Sequence, residues 1–134
     1  MAIKPVLMEG AKVTKTMKTL TQQHELDSVC SEQRAVLVLF GGQSCGVCQV
    51  IKPQLESMLS EHFPHMAACH VDCQNDASSL CAQQRVFSLP VVKLWFDGQS
   101  FAEFVRVFSL GEIRAAIERP YLAMFHHAKF PVDT

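Results

Sequence analysis

The feature that most constrains this chain is an apolar segment, residues 35–40, that runs through two glycines into a Cys-x-x-Cys motif. The six consecutive apolar side chains predict a buried strand, and Gly41 and Gly42 predict a break directly after it. The motif itself comprises Cys45 and Cys48. Behind it, apolar residues recur at helical spacing, at Val50, Ile51, Leu55, Met58 and Leu59. The sequence therefore predicts a strand, a tight turn and a helix that begins at the two cysteines and covers about residues 45–61.

A cysteine pair at the start of a helix is suited to redox chemistry for a physical reason. The unpaired N–H groups and the partial positive charge of a helix N-terminus stabilise a thiolate, which lowers the thiol pKa from about 8.5. The thiolate is the nucleophile of disulfide exchange. Cys45 falls at the predicted first turn, and Cys48 follows three residues later on the same helix face. We therefore predict that Cys45 is the attacking nucleophile and Cys48 the resolving thiol, with a disulfide between them in the oxidised state.

Composition excludes several other classes of function. The chain has 134 residues, 49% of them hydrophobic, which suits a single domain, 1–134, with its own core. A formal net charge of -1 without a basic run gives no reason to expect nucleic acid. No segment approaches the ~20 apolar residues of a membrane span, and no Gly-x-Gly-x-x-Gly fingerprint indicates a flavin or nicotinamide cofactor. The N-terminal residues lack a continuous apolar run, so we expect no signal peptide and a cytoplasmic location.

The remaining patterns predict five strands and four helices in the order β-α-β-α-β-α-β-β-α. Strands are expected at residues 13–20, 35–40, 66–72, 91–96 and 101–108. Three further helices are expected, one capped by Thr21, one over residues 76–85 and one capped by Ser109. Asp97-Gly98 predicts a hairpin between the last two strands. Since Pro120 is expected to end or bend the last helix, the predicted core covers about residues 13–119, and 120–134 form a C-terminal extension. This order predicts an α/β fold with a mixed central sheet and helices on both faces.

With these features together, the chain resembles the thioredoxin family. Its cysteine pair follows a buried strand, and Pro53 lies five residues after Cys48, where thioredoxins have a helix-kinking proline. Ser88-Leu89-Pro90 precedes a strand, as the family's Ile-Pro segment does, and Asp97-Gly98 matches the turn between the last two strands. The resemblance covers roughly residues 13–119 and implies the thioredoxin fold.

The resemblance also implies an activity, a thiol–disulfide oxidoreductase that reduces protein disulfides, and the residues that contact its substrates. It implies a cis bond between Leu89 and Pro90, and a Leu89 backbone that pairs with an extended substrate segment. Gly46, Val47, Leu89 and Pro90 are thus the expected substrate-binding residues. The expected partners are disulfide-containing proteins and a thioredoxin-reductase-type protein that regenerates the dithiol.

The chain departs from the family pattern at four positions, and three of them, Leu39, Ser44 and Arg106, favour an alternative function. Ser44 stands where thioredoxins usually have tryptophan, and Val47 where they usually have proline. Leu39 falls on the position of the family's buried aspartate, which helps to deprotonate the resolving cysteine, and Arg106 falls near a glycine of the substrate groove. The alternative is a non-catalytic thioredoxin-fold adaptor or chaperone-like binding module.

Four other cysteines leave further possibilities open: Cys30, Cys69, Cys73 and Cys81. Cysteines outside a motif more often act as small buried apolar side chains than as reactive groups. Cys69 and Cys73 with His65 or His70 have a spacing that would suit the second half of a zinc site with the Cys-x-x-Cys pair. A Cys69–Cys73 or Cys73–Cys81 disulfide is a further possibility, with a regulatory role.

Overall fold

The computed structural model describes residues 16–125. Its strands are β1 (Lys18–Leu20), β2 (Ala35–Gly41), β3 (Ala67–Asp72), β4 (Val91–Phe96) and β5 (Gln99–Val105). Its helices are α1 (Gln23–Glu32), α2 (Gly46–His62), α3 (Ser78–Gln83) and α4 (Leu110–Phe125). The order along the chain is the predicted one. Within residues 16–125, no helix is both long enough and apolar enough to cross a bilayer.

The five strands form one mixed sheet in the order β1-β3-β2-β4-β5. β1 and β2 run parallel to β3, whereas β4 is antiparallel to β2 and β5 is antiparallel to β4. All seven residues of β2 are buried. This is the burial expected of a central strand with both faces covered, which explains why its sequence is a continuous apolar run.

Helices cover both faces of the sheet, as predicted. Because side chains alternate along a strand, Leu37 and Leu39 of β2 point to one face and Val36 and Val38 to the other. The first pair packs in a cluster with residues of α2 and α4, and the second pair packs with residues of α1 and α3. The sheet is therefore the middle layer between two apolar cores.

The N-terminal elements are shorter than their sequence patterns suggest. Only Lys18–Leu20 of the predicted strand 13–20 pairs with β3, and residues 13–15 lie outside the described residues. The backbone N–H of Met17 donates instead to the carboxylate of Glu56 on α2, over 3.0 Å. The N-cap residue of α1 is Gln22 and not the predicted Thr21, since the helix begins at Gln23. The Glu25 carboxylate accepts the backbone N–H groups of both residues.

The Asp97-Gly98 turn forms the predicted hairpin. Both residues have positive φ angles, 53° and 78°, which glycine and aspartate tolerate better than most residues do. β5 begins directly after the turn, at Gln99, and ends at Val105, so the predicted strand 101–108 is displaced toward the turn. α3 is also shorter than predicted, with six residues.

The last helix continues through Pro120 to Phe125, so the predicted core boundary at residue 119 lies inside α4. Tyr121 is fully buried, and its hydroxyl accepts the backbone N–H of His65 over 2.9 Å. Burial of a large apolar side chain contributes roughly 2 kcal/mol. That contribution offsets much of the ~3 kcal/mol that an interior proline costs a helix. Residues 126–134 of the predicted extension lie outside the described residues.

Candidate active site

The strand register brings four segments to one edge of the sheet. β2 ends at Gly41, whose partner is Asp72 at the end of β3. Val91, the first residue of β4, pairs with Phe40 on one side and with Val105, the last residue of β5, on the other. The loops that follow β2, β3 and β5, and the loop that precedes β4, therefore meet at this edge. They carry the Cys-x-x-Cys motif, Cys73, Arg106 and the Leu89–Pro90 bond.

Cys45 is the N-cap residue of α2, and it is joined to Cys48 by the expected disulfide. Its backbone is extended, with φ −94° and ψ 103°, and its sulfur accepts the backbone N–H of Cys48 over 3.3 Å. The two Cα atoms are 5.2 Å apart. Cys45 is partly exposed, whereas Cys48 is only 3% exposed. Only the first sulfur is thus open to attack, and it lies where the helix N-terminus stabilises a thiolate.

The loop before Cys45 is held by three hydrogen bonds. The Gly42 carbonyl accepts the backbone N–H of Cys45 and the side-chain amide of Gln49, each over 3.1 Å. The backbone N–H of Ser44 donates to the side-chain oxygen of Gln74 over 2.7 Å. Gln74 belongs to the loop after β3, and no pattern in the sequence pointed to it. Cys45 is therefore positioned in part by a neighbouring loop.

Two glycines allow other groups to approach this loop closely. A Cβ atom on Gly41 would lie 3.0 Å from the Cβ of Cys48 and 3.1 Å from its sulfur. A Cβ atom on Gly42 would collide with the side chain of Gln74. The sequence identified both glycines as breakers of a strand, but the structure shows that they make room for the cysteine pair and for Gln74.

The position of the family's buried acid is apolar here. Leu39 is fully buried and packs in the same cluster as Ile51 and Leu55 of α2. Its register partner on β3 is His70, which is half-buried on the same face of the sheet. Burial, reinforced by the nearby Lys52 ammonium, lowers the pKa of His70 below its usual value of 6.5. The register partner of Leu39 on β3 is thus an imidazole whose lowered pKa keeps it neutral at neutral pH.

The Leu89–Pro90 peptide bond is cis, the isomer that the resemblance implied. Pro90 is buried, Leu89 is half-buried, and the Pro90 carbonyl accepts the backbone N–H of Arg106 over 2.7 Å. Within residues 16–125, the backbone of Leu89 makes no hydrogen bond. Arg106 is exposed and has a φ of 62°, a conformation that favours glycine, which is the family's residue near this position.

Exposed apolar side chains lie on the segments that meet at this edge of the sheet. Val47 and Val50, in the first turns of α2, are each 59% exposed. Phe87 precedes the cis bond and is 81% exposed, and Val107 follows Arg106 and is 87% exposed. We call these four residues the apolar rim. Of the four, sequence reasoning selected only Val47, because exposure of an apolar side chain has no local sequence signal.

The remaining cysteines do not form the second half of a metal site. Cys73 is bonded to Cys81, Cys69 is a free buried thiol and Cys30 is a free, partly buried one. Burial raises the pKa of both free thiols to about 11. No group of three or more histidine, cysteine, aspartate or glutamate side chains in the described part of the chain is arranged to hold a metal ion. The Cys73–Cys81 disulfide, one of the possibilities left open by the sequence, is the bridge that forms.

Comparisons with known proteins agree with this geometry. Residues 15–119 match the model of the family described as Thioredoxin. The chain is 31% identical over 88 residues to "Thioredoxin-like 3-2, chloroplastic" of Arabidopsis thaliana, an alignment that covers 63% of this chain and 46% of that protein. It is 26% identical over 108 residues to "Thioredoxin-like protein YdfQ" of Bacillus subtilis (strain 168), with 78% and 95% covered.

A solved structure gives the same result for the fold. The chain superposes on a mutant thioredoxin from Halobacterium salinarum NRC-1 with a TM-score of 0.71 and 27% identity. The superposition covers 79% of this chain and 91% of that one. The five-stranded mixed sheet with helices on both faces is therefore the thioredoxin fold.

Proposed function

The chain belongs to the thioredoxin family, and we propose that it is a thiol–disulfide oxidoreductase that reduces protein disulfides. The observation that carries the proposal is the Cys45–Cys48 disulfide at the N-terminus of α2. One sulfur is accessible and lies where a thiolate is stabilised, and the other is buried beside it. A nucleophile that reaches the substrate and a resolving thiol that does not are the two groups that such a cycle needs.

The cycle transfers two electrons to the substrate. The Cys45 thiolate attacks one sulfur of a substrate disulfide, which forms a mixed disulfide and releases the other substrate sulfur as a thiolate. Cys48 then loses its proton and attacks the Cys45 sulfur, which releases the second substrate thiolate. The substrate leaves as a dithiol, and the enzyme is left with the Cys45–Cys48 disulfide that the structure contains.

The proton of Cys48 needs an acceptor other than a carboxylate at position 39. Leu39 cannot ionise, and no acidic side chain is buried among the described residues. His70 lies beside Leu39 on the face of the sheet that packs against α2 and is neutral at neutral pH. We propose His70, the register partner of Leu39 on β3, as the acceptor of the Cys48 proton.

Substrate binding is proposed at the edge that surrounds the cysteine pair. The free backbone N–H and carbonyl of Leu89 are suited to pair with an extended segment of the substrate. Gly46 and Val47 lie at the start of α2, beside the nucleophile, and Pro90 fixes the position of Leu89. The apolar rim adds contact area that would be buried by an apolar segment next to the substrate disulfide. A thioredoxin-reductase-type partner is proposed to return the disulfide to the dithiol.

Turnover of a disulfide-bonded model protein with dithiothreitol as the final reductant tests this function. Replacing the nucleophile (Cys45→Ser) is expected to reduce the rate to background, a loss of about 1,000-fold or more. Cys30→Ser is the matched control, because Cys30 lies on α1 outside the site, and it should retain the rate of the unmodified protein. Undiminished turnover in Cys45→Ser would exclude the proposal.

The alternative, a binding module without catalysis, is favoured by the apolar surroundings of Leu39. A partner that binds equally well to the protein in which both Cys45 and Cys48 are replaced by alanine would support it. The single-domain organisation over residues 1–134 and the cytoplasmic location stay predictions of the sequence.

A further inference from the structure

Lys93 is a charged residue inside an otherwise apolar strand, the third residue of β4. Its register partner on β2 is Val38, which is fully buried and packs with residues of α1 and α3. Lys93 therefore lies on the same face of the sheet, where it is half-buried. Long charged side chains at such positions usually extend along apolar surface and place the charge in water. The ammonium of Lys93 has protein partners instead.

The Lys93 ammonium binds the C-terminal end of α3. Its Nζ donates to the backbone carbonyl of Gln84, the C-cap residue of α3, over 2.8 Å, and to the side-chain oxygen of Gln84 over 3.4 Å. It also lies 5.6 Å from the centre of the Phe40 ring, which is the distance of a cation–π contact. Within residues 16–125 no carboxylate forms an ion pair with it. The charge is therefore stabilised by the carbonyl end of a helix and by an aromatic ring.

Gln84 also connects Lys93 to a second helix. The side-chain amide of Gln84 donates to the side-chain oxygen of Gln23, in the first turn of α1, over 3.2 Å. The side chains of Gln23, Gln84 and Lys93 line one cavity of about 340 Å³. At this point α1, α3 and β4 are thus joined by hydrogen bonds across a cavity.

The contact between Lys93 and Gln84 closes the base of the segment that contains the cis bond. We call residues 85–90 the cis-proline segment. Arg85, its first residue, has a φ of 59° and turns the chain away from α3. The backbone N–H groups of Arg85 and Val86 donate to carbonyls of α3 over 3.0 and 2.9 Å. The start of the segment is therefore fixed to the end of α3, which Lys93 joins to β4.

The middle of the cis-proline segment has no comparable support. In the described part of the chain, the backbone of residues 87–89 makes no hydrogen bond. At the far end of the segment, Pro90 is buried and its carbonyl accepts the backbone N–H of Arg106. The position of Leu89 is therefore set from the two ends of the segment, by α3 on one side and by β4 on the other.

We propose that Lys93 is a positioning residue for substrate binding, because its ammonium joins the end of α3 to β4 and so keeps Leu89 where its backbone pairs with the substrate. The inference rests on the proposed function, since this pairing belongs to the proposed substrate site. Without the ammonium, the cis-proline segment has one constraint fewer and must be ordered when the substrate binds, which weakens binding. The chemistry at the two sulfurs does not depend on Lys93.

Lys93→Met tests this role, because it removes the ammonium and keeps an unbranched side chain of similar length. The reduced protein is mixed with a disulfide-bonded model protein, or with 2-hydroxyethyl disulfide, which has no peptide segment to pair with Leu89. Acid quenching and mass spectrometry of the peptide that carries Cys45 and Cys48 give the second-order rate of their oxidation. We expect the rate with the protein disulfide to fall about 10-fold, the lower end of what a hydrogen bond to a charged group contributes, and the rate with the small disulfide to stay within about 2-fold.

Gln84→Ala is the matched variant. It removes the 3.4 Å contact with the side-chain oxygen and keeps the backbone carbonyl that accepts from Lys93 over 2.8 Å. We therefore expect it to retain most of the rate with the protein disulfide. Thermal unfolding checks that both variants are folded.

Hydrogen exchange of the backbone amides of Arg85 and Val86 reports on the Lys93–Gln84 contact without any substrate. These amides bond to α3, so a loosened helix end should expose them more often. We expect about 10-fold faster exchange in Lys93→Met than in the unmodified protein, the same factor as for the rate with the protein disulfide.

Four results would overturn the inference. Equal rates of Lys93→Met and the unmodified protein with the protein disulfide would remove the role in substrate binding. An equal fall with both disulfides would indicate a general effect on the cysteine pair. A loss in Gln84→Ala as large as in Lys93→Met would remove the route through the backbone carbonyl, and unchanged amide exchange would remove the effect on the cis-proline segment.

Failure of the proposed function would show differently. The unmodified protein would then fail to react with the protein disulfide, while the difference in amide exchange between Lys93→Met and the unmodified protein would remain. That result would remove the substrate role of Lys93 together with the function and leave its structural contact in place.

Discussion

The two disulfides lie at the same edge of the sheet, but in different positions relative to their helices. Cys45 is the N-cap of the 17-residue α2, and its sulfur accepts a backbone N–H from the first turn. Cys81 lies in the second half of the six-residue α3 and is buried, so no helix N-terminus stabilises its thiolate. Position on a helix, more than the presence of a nearby second cysteine, therefore distinguishes the pair proposed to be catalytic from the other one.

The largest difference between the two bridges should appear when the buried sulfur of each is removed. Cys48→Ser leaves Cys45 as a nucleophile without a resolving thiol, so we expect a stable mixed disulfide with a substrate protein and no turnover. Cys81→Ser leaves the Cys45–Cys48 cycle intact and should accumulate no such complex through Cys45. Non-reducing electrophoresis and peptide mass spectrometry measure both. A Cys48→Ser protein that still turns over would contradict the assignment of the two roles.

A carboxylate at position 39, under α2, would change the surroundings of the Cys45–Cys48 bridge and leave those of the Cys73–Cys81 bridge unchanged. Leu39→Asp places an acid in a fully buried apolar position, so we expect the free energy of unfolding to fall by about 4 kcal/mol at pH 7. Burial raises the folded-state pKa of such a carboxyl above its unfolded value. The loss of unfolding free energy should therefore be smallest below the pKa of this carboxyl in the unfolded state. It should grow as the pH rises through the pKa of the carboxyl in the folded state.

Urea unfolding from pH 4 to pH 8 measures this pH dependence. Leu39→Asn is the matched control, because it has a similar shape and polarity but no titrating group. Its loss of stability should stay nearly constant over the same range. A Leu39→Asp protein with the same flat profile would contradict a buried, solvent-excluded position 39.

The thiols outside the two bridges provide a reference for reactivity. Burial raises the pKa of Cys30 and Cys69 to about 11, so about one molecule in 1,000 carries a thiolate at each position at pH 8. In the reduced protein we expect Cys45 to be alkylated at least about 100-fold faster than either. The time course of iodoacetamide labelling, read residue by residue, checks this order. Equal rates for Cys30 and Cys45 would contradict thiolate stabilisation at the start of α2.

Three glycine variants should give smaller and graded effects. Gly41→Ala forces the new methyl group against Cys48, and we expect the free energy of unfolding to fall by about 1–3 kcal/mol. Gly42→Ala displaces the flexible Gln74 side chain and should cost about 1 kcal/mol, the contribution of one hydrogen bond. Gly46→Ala meets nothing within 4 Å and is the control, with no loss of stability. Urea unfolding measures all three, and a Gly46→Ala loss equal to that of Gly41→Ala would contradict the close approach at Gly41.

The sequence predicted the parts of the fold that depend on local patterns. The apolar run of β2, the helical spacing of α2 and the Asp97-Gly98 turn each specify one conformation, and the structure has all three. The end of α4 depended instead on tertiary packing. Judged from local sequence, Pro120 indicates an end or a bend of the helix. Burial of the Tyr121 side chain stabilises a helix that continues to Phe125.

The residues of the candidate site also divide into those that a local pattern identifies and those that only the fold brings together. Cys45, Cys48 and Pro90 have motif spacings that sequence alone can recognise. The partner of Cys73 was left open between Cys69 and Cys81, because pairing depends on which sulfur the fold brings near. Gln74 had no signal at all, since its contact with Ser44 joins loops 30 positions apart in the chain.

The most direct test of the central claim is a redox titration of the unmodified protein. The protein is equilibrated in glutathione and dithiothreitol buffers and then alkylated. Cleavage after Glu32, Glu56, Glu61 and Glu103 then places the two cysteine pairs on separate peptides, 33–56 and 62–103. We predict a cooperative two-electron transition of Cys45 and Cys48 near about -270 mV, the range of a thioredoxin-like reductant. A transition near about -120 mV would indicate an oxidant instead. No pairing of Cys45 with Cys48 at any potential would contradict the enzymatic function and leave the binding module.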